Sequence, residues 1–292
     1  MFTCAITLGM GRKKELVLTS PVLIASGALG FEQFNLETPS QVGAIVTPPL
    51  TWRPRAEAVR PRFVRTAAGF LLHTGRRNPG LRAALRRYGR MWEHAGMPVI
   101  VALYARTSAE FAEMAAFLTA LEWVQGLELH LPHDMEPDEA RESVAAVVAE
   151  AGLPCLVRVP FEQAVSLATV SAEAGADGLV VASPPVGRWP DESGGWVYGP
   201  LHSPALAPLY VELVHRVAGV TLLPIIGRGG IATLQDALAL IAAGAVAVQL
   251  DSILMVHPAA CGQLYLALER ELAERQLATW DEYLAALRRA EG

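Results

Sequence analysis

Cysteine is scarce in this 292-residue chain. Cys4, Cys155 and Cys261 are odd in number and far apart, which suits neither a disulfide framework nor a CxxC metal site and implies a reducing, cytoplasmic setting. Charge is sparse as well: 18% of residues are charged and the net charge is −5. No long Lys/Arg run is present to neutralise phosphates, so nucleic acid is a poor partner and a small molecule a better one. No segment reaches the roughly 18 uninterrupted apolar residues of a membrane span. The opening MFTCAITLGMGRKK lacks a basic region ahead of its short apolar stretch, so a soluble, unprocessed protein is expected. Hydrophobic residues, by contrast, make up 52% of the chain, enough for a large core. With no long linker or repeat to divide it, the chain is expected to be a single domain over residues 1–292.

Short apolar runs alternate with helical windows. The strands expected are residues 22–25, 43–46, 98–103, 126–131, 154–159, 178–182, 222–226 and 245–250. Between most of them lie helical stretches that begin near Thr, Glu or Asp and several of which end at Gly. Runs of Val, Ile and Leu buried on both faces and joined by helices describe a parallel sheet. Eight such units in about 250 residues close most naturally into a (β/α)8 TIM barrel, with the doubly wound open sheet as the alternative. ITLG and ELVLTSP read as an N-terminal β-hairpin covering the barrel floor, and ERELAERQLATWDEYLAALRRA as a pair of C-terminal helices.

In such a barrel, function belongs where strands end. After the seventh strand, IIGRGGI leads straight into a helix, so Gly229 and Gly230 suit either a phosphate site or a tight turn that needs glycine. The fourth strand ends GLELHLPHD, with His130 and His133 three apart. A metal is not expected there, because zinc needs three or four ligands and only Asp134 is near. Acid/base work and pocket lining both remain open. Arg76 and Arg77 in HTGRRNPG, and Arg158 at the end of the fifth strand, suit carboxylate or phosphate recognition, with surface solvation as the alternative for the first two. SPPVGRWPDESGGWVYGPLHSP (183–204) is a long connection expected to act as a lid, whose two tryptophans either stack on a planar ligand or pin the loop down.

LTSPVLIASGALGFE, GAIVTPPLTWRPRAEAVRPRF, AAGFLLHTGRRNPGL and PIIGRGGIATLQDALALIAAGAVAVQLDS resemble the class 1 dihydroorotate dehydrogenases, FMN-dependent barrels of pyrimidine biosynthesis. The resemblance spans about residues 14–260. It implies a flavin phosphate on the loops after the seventh and eighth strands, a flavin ring across the mouth, and a cysteine after the fourth strand as proton acceptor.

Carried over residue by residue, the resemblance keeps Ala25, Ser26, Gly27, Gly229 and Gly230, and in the loop of the second unit Gly75 and Asn78. The family's lysine after the second strand falls on Pro48, and its asparagines fall on Leu72, Ala102 and His130. Its catalytic cysteine falls on His133, its strand lysine on Arg158, its Asn-Thr pair on Ser183 and Pro184, and its Gly-Thr on Asp251 and Ser252. A flavin-contacting glycine aligns with Gly199 or Ser203. An aspartate at the phosphate places like charges together unless it points away or a cation intervenes.

The expectation is therefore a dihydroorotate-dehydrogenase-like FMN oxidoreductase acting on CH–CH bonds of a small anionic substrate. His133 would be the base. Ala25, Ser26, Gly27, Arg158, Gly229, Gly230 and Ser252 would hold the cofactor, and His130, Asn78, Arg76 and Ser183 the substrate. The alternative is a flavin-free barrel serving as a ligand-binding or regulatory subunit, as a homo-oligomer or paired with an active homologue.

Overall fold

The structure is a computed structural model describing residues 2–34, 36, 38–59 and 62–290. Eight parallel strands close a TIM barrel. Strands β1 (Ile6–Leu8) and β2 (Leu16–Leu18) form the antiparallel hairpin expected at the floor. Leu16 and Leu8 fill the space beside Gly126 and Gly178, which stand at the N-terminal ends of their strands.

The barrel strands are β3 (Val22–Ile24), β4 (Ile45–Val46), β7 (Val99–Leu103), β8 (Val124–His130), β9 (Cys155–Pro160), β10 (Gly178–Ser183), β13 (Ile225–Arg228) and β14 (Ala245–Leu250). Their Val, Ile and Leu side chains are almost wholly buried, as strands covered on both faces must be. β4 is short because Pro48 and Pro49 follow, and proline has no N–H for the ladder.

The seventh barrel strand is displaced from the expected 222–226. Its pairing begins at Ile225, while Leu222 is fully exposed in a turn where Leu223 N–H donates to Thr221 Oγ1 (3.1 Å). The shift carries the strand on to Arg228, whose side chain it places inside the barrel, only 2% exposed.

The outer helices are α1 (Leu81–Glu93), α2 (Ser108–Thr119), α3 (Pro137–Glu150), α4 (Ala164–Glu173), α5 (Ala207–Ala218) and α6 (Leu234–Ala242). Their starts obey capping chemistry: Thr107 accepts from Glu110 N–H, and Pro137 sits at the first turn behind a Glu136/Glu139 capping box. Helices α7 (Ala260–Glu274) and α8 (Trp280–Ala290) form the C-terminal pair, the first starting earlier than its sequence suggests. Among the described residues, no helix is long and apolar enough to cross a membrane.

A second sheet stands on the rim. Strands β5 (Phe63–Thr66) and β6 (Gly69–Leu72) form one hairpin, and β11 (Val186–Pro190) and β12 (Trp196–His202) another. They join through Leu201↔Leu71 and His202↔Phe70. The expected long connection over 183–204 is thus a paired ribbon tied to the loop after β4. Trp189 and Trp196 lie near its tip, half exposed, and Trp196 carries the Arg188 guanidinium 4.7 Å above its ring.

Candidate functional site

Strand alternation on β8 turns Leu127, Leu129 and Leu131 one way and Glu128 and His130 the other. Glu128 is fully buried. His130 Nε2 lies 2.6 Å from Glu128 Oε1, and Gln249 Nε2 of β14 donates to Glu128 Oε2 (2.7 Å). Arg158 on β9 stands 4.0 Å from Glu128 Oε1 and donates from Nε to Ser183 Oγ (3.0 Å). At 2.6 Å from a carboxylate, His130 Nε2 must carry its proton there, so the 3.4 Å approach of Arg158 Nη1 to the same nitrogen sets donor against donor and is not a hydrogen bond.

Burial, reinforced by the Arg158 charge, pushes the His130 pKa down to about 3. Burial alone would raise Glu128, but the His130 hydrogen bond and the charges around it win, and its pKa is lowered. Burial, with the Arg228 charge second, lowers Arg158 to about 9, so at neutral pH a carboxylate and a guanidinium face each other beside a neutral imidazole.

A second cluster adjoins it. Arg228 forms an ion pair through Nη2 with Asp251 and donates from Nη1 to Ala182 O (3.1 Å). His202, delivered by the rim ribbon, places Nδ1 3.4 Å from Asp251 Oδ2. Burial opposes ionisation of Asp251, but Arg228 beside it holds the carboxyl well below the usual range. The like-charge conflict anticipated for an aspartate at this position is therefore met by a cation from within the chain.

Neither glycine of the expected phosphate loop needs an anion to explain it. Gly229 (φ +105°) and Gly230 (φ +72°) adopt left-handed backbone. A Cβ on Gly229 would collide with the Tyr210 ring, and one on Gly230 would lie 2.5 Å from the Ala207 backbone. The start of α6 is also filled from within: Asp236 accepts from Ala232 N–H (3.0 Å), Thr233 N–H (2.8 Å) and Thr233 Oγ1, supplying the negative charge a helix N-terminus favours. Ser252 opens a 3-10 helix (Ser252–Met255) and lines a small cleft with Gly229, Gly230, Asp251 and His202.

Ala25 and Ser26 tie strand ends together: Ala25 N–H donates to Leu250 O (2.9 Å) and Ser26 Oγ to Thr47 O (2.7 Å). Gly27 takes the left-handed turn behind them (φ +79°). Of the two alternatives at the ribbon, Gly199 packs on His73 and Leu72, while Ser203 caps a 3-10 turn and donates to Ala68 O (2.5 Å).

The paired arginines of the rim loop separate sharply. Arg77 is 72% exposed, 3.5 Å from Glu57. Arg76, in a left-handed turn (φ 56°), lays its guanidinium 3.8 Å over the Tyr104 ring, and its Nη1 is buried without a partner. Burial lowers its pKa, and its charge acts on His130, His133 and Arg158.

Asn78, expected on the substrate, is spent on the loop itself. Its amide accepts from Gly80 N–H (2.9 Å) and Thr51 N–H (3.3 Å) and donates to Arg76 O (2.9 Å).

His133 is not a partner of Asp134, which forms a two-pronged, exposed pair with Arg106 (2.7 and 3.0 Å). Its Nδ1 lies 3.5 Å from Glu162 Oε2, beyond good hydrogen-bond range, and is otherwise unpartnered. Burial, against the opposing Glu162 charge, lowers its pKa.

The structure thus gathers His130, Arg158 and Ser183, sets Gly229, Gly230 and Ser252 on one cleft, and leaves Asn78 inside its loop. Glu128, Arg228, Gln249 and His202 were not anticipated. The signal for the first three was a polar residue inside an apolar strand, as in GLELHL, IIGR and AVAVQL. FMN, which the resemblance implies, does not fit these side chains as arranged: Asp251 lines the cleft with Gly229, Gly230 and Ser252 where its phosphate is expected, Arg228 is tied to Ala182 and Asp251 at the neighbouring strand ends, and Pro48 and Ala102 offer no side-chain donor.

The family profile described as Dihydroorotate dehydrogenase matches residues 13–272. A curated relative from Trichlorobacter lovleyi, the catalytic subunit of dihydroorotate dehydrogenase B (NAD(+)), is 32% identical, covering 94% of this chain and 96% of its own. The protein of the same name from Geobacter sulfurreducens is 31% identical, covering 93% and 95%. The crystal structure of Eimeria tenella DHODH in complex with ferulenol superimposes with a TM-score of 0.74 at 19% identity, covering 91% of this chain and 85% of that one, a likeness of fold.

Proposed function

This chain belongs to the dihydroorotate dehydrogenase family, and we propose that its barrel mouth binds a small planar anion of the dihydroorotate class, with Arg76 as the anchoring cation. One observation carries this reading. Arg158 is balanced by Glu128 and Arg228 by Asp251, whereas among the described residues Arg76 has no carboxylate partner and its Nη1 is buried without a hydrogen bond. A guanidinium N–H group buried without a partner is costly, and a planar carboxylate would relieve that cost through two parallel N–H···O bonds. The stack on Tyr104 fixes the plane in which the fork is presented.

Calorimetric titration with orotate tests the proposal. The parent chain should bind, Arg76→Ala should bind at least about tenfold more weakly, a loss of roughly 1.4 kcal/mol or more, and Arg77→Ala should bind like the parent. No heat from the parent at millimolar orotate would refute it. On this reading the chain serves as a ligand-binding subunit, alone or beside a homologue.

The relatives favour a second reading, in which the chain oxidises that ligand with FMN as a flavoenzyme of pyrimidine biosynthesis. His133 is then the base, since its neutral form and unpartnered Nδ1 suit proton uptake. A steady-state assay with dihydroorotate and added FMN separates the two. Turnover near 1 per second, ordinary for enzymes, supports oxidation, and orotate binding without turnover supports the first reading.

A further inference from the structure

We infer that the ion pairs of this chain have taken over the space and charge of the family's flavin, so that the barrel is complete without FMN. The inference rests on the Arg228 and Asp251 clusters and not on Arg76, so it stands or falls separately from the proposed anion site.

The phosphate end already holds an anion of the chain's own, Asp251. A phosphomonoester needs free N–H groups and positive potential. Ahead of α6 the amides of Ala232 and Thr233 are spent on the Asp236 carboxylate, and the end of β14 presents the Asp251 carboxylate, 16% exposed and already paired with Arg228 and His202. Seating a doubly charged phosphate in the cleft against the Asp251 carboxylate would oppose like charges at close range. The turn is closely packed, since a Cβ on Gly229 would strike the Tyr210 ring and one on Gly230 the Ala207 backbone.

The ring end is closed by the arginines. Arg228, 2% exposed, reaches from β13 to Ala182 O on β10 and to Asp251 on β14's end, so its guanidinium spans neighbouring strand ends. Arg158 is held by Ser183 and lies against Glu128, and Glu128 is saturated by His130 and Gln249. A flavin ring would have to displace charged groups from partners they already have. The residues that could have received it on the opposite side, Pro48 and Ala102, bring no side-chain donor. His202 closes the arrangement from above, stacked on Phe70 at 5.1 Å between centroids and carried by a ribbon paired to β6.

The test uses the full chain as purified. Its absorbance between 350 and 500 nm reports any flavin carried along, and titration with FMN up to 1 mM, followed by flavin fluorescence and by thermal midpoint, reports uptake. The expected result is a colourless protein whose midpoint does not move with FMN. The variant Arg228→Met/Asp251→Gly removes cation and anion together, so no buried charge is stranded, and should bind FMN at least tenfold more tightly than the parent.

Stoichiometric flavin in the parent, or its recovery on titration, would overturn the inference. So would a double variant that folds cooperatively yet shows no gain in FMN affinity. Should that variant fail to fold, the closer-shaped pair Arg228→Gln/Asp251→Asn, which also removes both charges, is measured in the same titration, and no gain in FMN affinity overturns it equally. Orotate binding by Arg76 can survive or fail in any of these outcomes, which keeps the two claims distinguishable.

Discussion

Replacing Glu128 by glutamine removes one negative charge from the centre of the barrel with almost no change in shape. Glu128 is fully buried, accepts from His130 and Gln249, and stands 4.0 Å from Arg158. The hydrogen bonds can be repaired, because Gln249 Oε1 lacks a partner and a turn of its amide would meet the new side-chain NH2. The charge cannot be repaired, since Arg158 would be left buried without its carboxylate. Stranding one member of a buried pair costs roughly 3–5 kcal/mol, and the recoverable hydrogen bonds argue for the lower end, about 3 kcal/mol.

Urea unfolding at pH 7 reads this directly. A chain of this size should also lose roughly 6–12 °C in thermal midpoint, at about 2–4 °C per kcal/mol. Adding Arg158→Met removes the stranded cation and should recover most of the loss, a strong non-additivity in a double-mutant cycle. A single-variant cost below about 1 kcal/mol, or a double variant as unstable as the sum of its parts, would refute the view of a dry, charge-balanced interior.

Acid should weaken the protein with a definite sign. His130 is kept neutral down to about 3 when folded but takes a proton near pH 6.5 when unfolded. Its contribution is therefore full above pH 6.5 and drains as the pH falls toward 3, and the lowered carboxyls of Glu128 and Asp251 add in the same direction. Urea midpoints at pH 7, 5.5 and 4.5 should decline in order, and a midpoint that rises on acidification contradicts the assignment. At the strand-seven turn, Gly230→Ala should cost roughly 2 kcal/mol or more, because left-handed backbone and the Ala207 contact both oppose it. Gly27→Ala, left-handed but with nothing nearer than 3.9 Å, should cost only about 1 kcal/mol. Equal losses in the two variants would show that crowding at Gly230 has been overstated.

The barrel was legible because its strands are dense in Val, Ile and Leu and its helices begin at capping residues. The seventh strand misled because Leu222 and Leu223 are apolar yet precede Pro224, and the true strand starts beyond that proline. The strand runs two residues past the expected end at 226, and that extension hid Arg228. Asp251 was visible as an oddity, but its neutralising partners lie 23 residues away on another strand and on the ribbon, and no local pattern connects them. Arg76 and Arg77 are adjacent and chemically alike, yet with a left-handed turn at Arg76 braced by the Asn78 amide, Arg76 lies over the Tyr104 ring while Arg77 stays exposed. The long connection expected to act as a lid hides its pairing because its partner strand, β6, is about 130 residues distant.

That last pairing also bears on the order in which the chain acquires its shape. Each rim hairpin closes locally, a microsecond-scale event, but β6 and β12 meet only across half the sequence, and contacts of such separation form slowly. During synthesis β6 emerges long before β12 exists, so the rim of the first half waits unpaired. His202 reaches Asp251 only once that seam has closed. The mouth should therefore be the last region to become native and the first to open under denaturant.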